Sequence, residues 1–128
     1  MTYKDMKVTE IMDDSQYPLA ETFRRVIERI DAKTSNIKKV VRDDAVAYSN
    51  RDIEFAKIVP QEEYVDLIVE VPYDRIIDLS HKCDVVERFA GFYDADIVSY
   101  KIRINTEIQY GLSLFDQTYT YIKRLKLD

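Results

Sequence analysis

Leu19, Phe23, Val26, Ile27 and Ile30 recur at intervals of three and four, with Glu21, Arg24, Arg25, Glu28 and Arg29 on the positions between them. That spacing places the apolar set on one face and predicts an amphipathic helix from Pro18 to about Ala32. Pro18 suits its first turn, where a missing N–H costs nothing, and Glu21 with Arg25 and Arg24 with Glu28 are opposite charges four apart. The period then shortens to two. Ala45 to Ser49 and Ile53 to Val59 read as short strands joined by a turn at Ser49, Asn50, Arg51 and Asp52, and Pro60 ends the second of them. Val65, Leu67, Val69 and Val71 alternate with Tyr64, Asp66, Ile68 and Glu70, the mark of a strand with one buried face. Val98, Tyr100, Ile102 and Ile104 alternate with Ser99, Lys101 and Arg103 and supply a fourth strand. In this register Leu67 and Ile102 point into the core, and Asp66 and Arg103 point away from it. Between Pro72 and Ala95 no period persists; the stretch reads as a structured crossover, with short helical turns anchored by Ile76, Ile77, Val85, Val86 and Phe89.

Thr106 and Gln109 have capping-box spacing and open a long helix that runs to about Leu125, with Ile108, Gly111, Leu112, Phe115, Tyr119 and Ile122 on one face. Tyr110, Leu114 and Tyr121 widen the apolar surface beyond the stripe that one sheet requires. An exposed patch of that kind calls for a cover, and a homodimer or a protein partner is the expected one. The competing cover is the amino-terminal set Val8, Ile11 and Met12. The order of elements, α-β-β-β-crossover-β-α, predicts an α+β fold: a mainly antiparallel four-stranded sheet covered by an N-terminal and a C-terminal helix. With no repeat, low-complexity tract or glycine-rich linker, residues 1–128 read as a single domain.

Composition narrows the partners. In 128 residues, 46% hydrophobic and 34% charged, there is enough apolar material for one core. A net charge of −5 argues against a general phosphate-backbone binder. Lys33, Lys38, Lys39 and Arg42, with Arg51 nearby, nevertheless form a basic run that reads either as an anion-binding patch or as a solvated connection. No stretch approaches the roughly 18 apolar residues of a membrane span, and Met1 to Asp14 lacks the apolar run of a signal peptide. A membrane partner is therefore not expected, and the cytoplasm is the expected location.

Candidate chemistry is sparse. Two isolated glycines, Gly91 and Gly111, cannot build a P-loop or a dinucleotide fingerprint, so no cofactor is assigned. Cys83 is the only cysteine and His81 the only histidine, which removes intrachain disulfides and the multi-cysteine and multi-histidine metal patterns. His81, Cys83 and Asp84 offer a minimal thiolate–imidazole pair, but a packed, structural thiol beside a surface histidine is the preferred reading. Asp94 and Asp96, with Asp43 and Asp44, could offer oxygen ligands to a hard cation. Asp52, Glu54 and Lys57 resemble a metal-dependent nuclease arrangement, with the lysine one position out for strand alternation. No catalytic or metal-ligating residue is assigned. Ten tyrosines without a tryptophan suit a contact surface, although Tyr48, Tyr100 and Tyr119 read equally as core residues.

Several short stretches carry a family likeness: Ala45-Val46-Ala47-Tyr48, then Phe55-Ala56-Lys57-Ile58-Val59-Pro60-Gln61, the strand Val65 to Val71, Asp78, Asp84-Val85-Val86, Tyr100 to Ile104 and the helix through Leu114. From about 41 to 125 the chain resembles an uncharacterised prokaryotic domain family labelled "predicted transport protein", found alone or attached to restriction-type endonuclease proteins. The label is no evidence of transport; the resemblance implies a defence or restriction context. It departs from the family at Phe92-Tyr93-Asp94-Ala95-Asp96-Ile97, where a turn rich in glycine, histidine and tryptophan is usual. The expected function is a non-catalytic binding or protein-interaction module, with Tyr110, Leu114, Tyr121, Lys38, Lys39 and Arg42 as candidate binding residues. The alternatives are a metal-dependent or thiol-based enzyme, a nucleic-acid-processing accessory protein and a small-ligand sensor.

Overall fold

The structure, a computed structural model, describes residues 7–13, 17–33, 36–90 and 94–125. In chain order the elements are α1 (Val8–Asp13), α2 (Ala20–Asp31), β1 (Lys38–Val41), β2 (Val46–Asn50), β3 (Ile53–Pro60), β4 (Val65–Val71), a 3₁₀ turn (Tyr73–Arg75), β5 (Cys83–Ala90), β6 (Asp94–Ile102), a second 3₁₀ turn (Asn105–Glu107) and α3 (Ile108–Arg124). The strands form one antiparallel sheet in the order β1-β2-β3-β4-β6-β5. Arg51 and Asp52, at φ 52° and 62°, make the two-residue turn between β2 and β3, where left-handed backbone matches the twist of a hairpin.

Six strands stand where four were expected, and the two additions, β1 and β5, are the sheet edges. All four residues of β1 are exposed, so no buried face imposes an alternation on Lys38–Val41. In β5 the register shifts between Val85 and Glu87, and this irregularity breaks the period that would have marked the strand within the supposed crossover. The last strand also ends earlier than its pattern suggests. Ile104 lies beyond β6 and is 59% exposed.

One face of the sheet is the core. Val65, Leu67, Val69 and Val71 are fully buried there, and Ile102 beside them, as their alternation requires. α3 packs across β4, β3, β2 and β6, while the short α2 lies against β3 and α3. The Phe115 ring sits 5.5 Å from that of Tyr48 and 5.3 Å from that of Phe55. At Gly111 a Cβ would meet the side chains of Leu67 and Tyr100 at 3.2 Å, so glycine lets helix and sheet approach closely.

Three further expectations change. The entry to α3 is held by Glu107, whose carboxylate accepts from the N–H groups of Arg103 at 2.8 Å and Ile104 at 3.1 Å; Gln109, expected in that role, accepts from Arg29 at 2.6 Å instead. Asp66 points away from the helices as expected, yet it is buried on that opposite sheet face, where the Ser99 hydroxyl donates to it at 2.5 Å. Leu114, expected on an open surface, is buried. The segment between β4 and β5 crosses that flank of α3, bonding to Tyr110 and Gln117 on either side of Leu114, so the helix has two covers within its own chain. Val8 and Ile11 are buried as well, with α1 packed against α2; the Met12 side chain lies outside the described residues.

Candidate functional site

The densest polar constellation is centred on Asp78, in the segment that joins β4 to β5. Its carboxylate accepts four hydrogen bonds: from the hydroxyls of Tyr110 and Tyr73, the latter at 2.7 Å, and from the N–H groups of Lys82 at 3.0 Å and Cys83 at 3.1 Å. Tyr73 comes from the 3₁₀ turn, Tyr110 from the first turn of α3, and Cys83 opens β5, so one side chain ties three elements together. The Asp96 carboxylate steadies the turn by accepting from the Tyr73 N–H at 2.9 Å. Burial alone would raise the pKa of Asp78, but its four donors outweigh burial and hold the carboxyl well below the usual carboxylate range. The charge in turn acts on its neighbours. Burial first, and Asp78 second, push the Cys83 thiol up to about 12, while a hydrogen bond to Asp78 leads the influences that push the Tyr73 hydroxyl up to about 12.

The residues on either side of Asp78 point the other way. Ile77 is 65% exposed and Leu79 85% exposed, the two most exposed large apolar side chains among the described residues. Their backbone is nevertheless fixed, because the Gln117 amide accepts from the Ile77 N–H at 2.6 Å and donates to the Ile77 carbonyl at 3.3 Å. Ile77 and Leu79 rim a depression of about 410 Å³ whose floor includes Tyr110 and Ser113. Beyond it runs the sheet edge β5, with Val85 and Val86 largely exposed. The result is an apolar ledge on a hydrogen-bonded support beside an edge strand that pairs with no further strand among the described residues.

The other candidates are dispersed. His81 is exposed with φ 51°, and the raised thiol pKa of Cys83 disfavours its thiolate. Asp43 and Asp44 are exposed between β1 and β2, Asp96 is committed to Tyr73, and the Asp94 side chain lies outside the described residues. Glu54 and Lys57 share the open sheet face with Asp66 and Glu70, yet the described residues contain no group of three side chains able to hold a metal ion. The basic run is largely neutralised within the chain: Lys33 pairs with Asp116 at 2.8 Å, Lys39 with Asp31 at 2.6 Å and Arg42 with Glu54. Arg51 donates to the carbonyls of Ile122 and Leu125 at the end of α3, and Lys38 is exposed on the edge strand.

Of the tyrosines, Tyr48, Tyr100 and Tyr119 are buried with Tyr17, while Tyr110 and Tyr121 are half-buried. The Tyr48 hydroxyl has no hydrogen-bond partner among the described residues, and burial, with Asp31 nearby, pushes its pKa upward. Sequence reasoning placed Tyr110 among the binding residues but gave Asp78, Tyr73, Ile77 and Leu79 no such role. Their one sequence signal was the triplet Ile77-Asp78-Leu79, an apolar–acidic–apolar alternation whose sides are reversed, with the charge inside and the apolar residues outside. The chain has no helix among its described residues long and apolar enough to cross a membrane. Comparison with family models, with curated proteins and with solved structures found no match for this chain.

Proposed function

We propose that this chain is a non-catalytic protein-interaction module that binds through the β5 side of its sheet, with Ile77, Leu79 and Val86 as apolar anchors. The observation that carries this reading is the inversion at Asp78: four hydrogen bonds draw the charged residue inward and hold its two apolar neighbours out in solvent. Apolar groups that are already fixed lose little conformational entropy on binding, which is the advantage of a preorganised surface. An edge strand adds backbone donors and acceptors that a second strand can pair. The elevated thiol pKa of Cys83 counts against the alternative of a thiol-based enzyme.

A second copy of the chain is the first partner to test, since an antiparallel pairing of two β5 edges about a twofold axis would join identical ledges. The family resemblance adds a defence or restriction setting to this proposal. Sedimentation of the wild type, Leu79→Glu and Val86→Lys tests the surface. The expected result is a wild-type dimer that both substitutions dissociate without loss of folding. A wild-type monomer at high concentration would sink self-association, and a dimer indifferent to both substitutions would move the interface elsewhere.

A further inference from the structure

Away from β5, a groove of about 620 Å³ lies along α3, and Arg75 and Arg124 are among the residues that line it. Its size is that of a small-molecule site. The other arginines whose side chains are described are engaged: Arg25 with Glu21, Arg29 with Gln109, Arg42 with Glu54, Arg51 with the carbonyls ending α3, Arg103 over the Tyr64 ring, and Arg24 within the chain as well. Of the described arginine side chains, only those of Arg75 and Arg124 have no hydrogen bond, ion pair or ring contact among the described residues, and both line this one groove. Asp116, the one carboxylate among the groove's described lining residues, is paired with Lys33 at 2.8 Å. At the end of α3 the carbonyls of Ile122 and Leu125 accept from Arg51, whose positive charge offsets part of the negative helix end. Thr120 and Tyr121 add a hydroxyl and an aromatic wall.

We infer that the groove between Arg75 and Arg124 binds a small dianionic phosphate monoester, the two guanidiniums taking its oxygens and Tyr121 lying along its organic part. A planar fork of N–H donors matches phosphate oxygens, and two forks from separate elements match a double charge better than a single one. The groove adjoins the Ile77 ledge at Gln117, but its two arginines are not part of that ledge, so its failure and that of the interaction surface can be told apart.

Phenyl phosphate is a suitable probe, because its second ionisation, near pH ~6, leaves it a dianion at neutral pH. Titration into the ¹⁵N-labelled chain, followed by the Nε–Hε signals of the arginines, should give saturable shifts confined to Arg75 and Arg124. Arg75→Gln and Arg124→Gln should each weaken binding about tenfold, as the loss of one charged hydrogen-bonding partner requires. Both side chains are exposed, so the variants should fold as the wild type does. Benzenesulfonate, with the same ring but one charge, should bind more weakly. Equal affinity for benzenesulfonate, shifts spread over all the basic residues, or binding that survives both substitutions would overturn the inference. Asp128 follows Arg124 by four positions and lies outside the described residues. A large gain in phenyl phosphate affinity in Asp128→Asn would show that the chain's own carboxylate is the occupant, which would overturn the inference as well.

Discussion

Asp66 and Asp78 are exposed to almost the same small extent, 9% and 8%, yet their carboxyls are shifted in opposite directions. For each, burial is the largest influence, and burial favours the neutral acid. At Asp66 burial is opposed by the Ser99 hydroxyl and by Lys101 and Lys57, and the nearby Asp84 reinforces it; the carboxyl stays above its ordinary value. At Asp78 the hydroxyls of Tyr110 and Tyr73 and the N–H groups of Lys82 and Cys83 overcome it. Asp78 has four donors and lies beneath a thinner layer of protein than Asp66, which has one, and both differences favour its ionised form. The two residues therefore differ in use as well: ionised Asp78 organises a surface, whereas ionised Asp66 is a cost borne on the open face of the sheet.

The largest effect that follows is at Asp78. Removing its side chain leaves two hydroxyls and two N–H groups to find new partners, and Asp78→Ala should cost about 3 kcal/mol or more in urea unfolding. A loss below about 1 kcal/mol would mean that the hydrogen bonds do not organise the segment. The pH dependence has a definite sign. Because the folded value lies below the unfolded one, the stabilisation is present above the unfolded pKa of about 3.9 and is lost as pH falls through the folded value. Wild-type stability should thus fall steeply below about pH 4, and Asp78→Asn, less stable at neutral pH, should show a shallower fall in that range.

Asp66 should behave in the opposite sense. Its folded value is raised, so its contribution is favourable below the unfolded pKa of about 3.9 and is lost as pH rises through the folded value. At neutral pH the ionised form is a burden. Asp66→Asn keeps an oxygen for the Ser99 hydroxyl and removes the buried charge, so it should be neutral or stabilising by up to about 1 kcal/mol at pH 7, with the gain vanishing towards pH 3. A clear loss of stability at pH 7 would show that attraction to Lys101 and Lys57 outweighs burial, and the contrast between the two aspartates would then be one of degree.

How far these features could be read from sequence follows from where each determinant lies. Val65 to Val71 was legible because β4 sits between two strands under α3, and a strand buried on one face must alternate. The same rule put Asp66 on the face away from the core, where it lies, but neighbouring side chains decide how wet that face is. β1 and β5 escaped because an edge strand need not bury an alternating face, and β5 also carries a bulge. Leu114 was assigned to the surface because helical spacing accounts for one cover, while the second is an aperiodic connection. The Asp78 cluster was hidden for a related reason. Its partners Tyr73 and Tyr110 stand 5 and 32 residues away, and no local period links them.

The smallest expected effect uses Cys83 to read the charge on Asp78 from outside. As the only cysteine, it reports without interference from other thiols. Its thiol is pushed up to about 12, first by burial and then by Asp78, against an unperturbed value near 8.5. Only the thiolate reacts, so iodoacetamide at pH 8.5 should modify the folded chain at least about a hundredfold more slowly than the urea-unfolded chain. In Asp78→Asn the burial persists but the neighbouring charge is gone, and the rate should rise by a modest factor, measured where circular dichroism shows the variant still folded. The conservative variant separates charge from packing, since asparagine fills the same space. Rapid alkylation of the folded wild type would mean that the thiol is neither buried nor held by Asp78, and would return the thiol-based enzyme to consideration. An unchanged rate in Asp78→Asn would leave burial as the sole cause and remove Cys83 as a witness to the difference between the two aspartates.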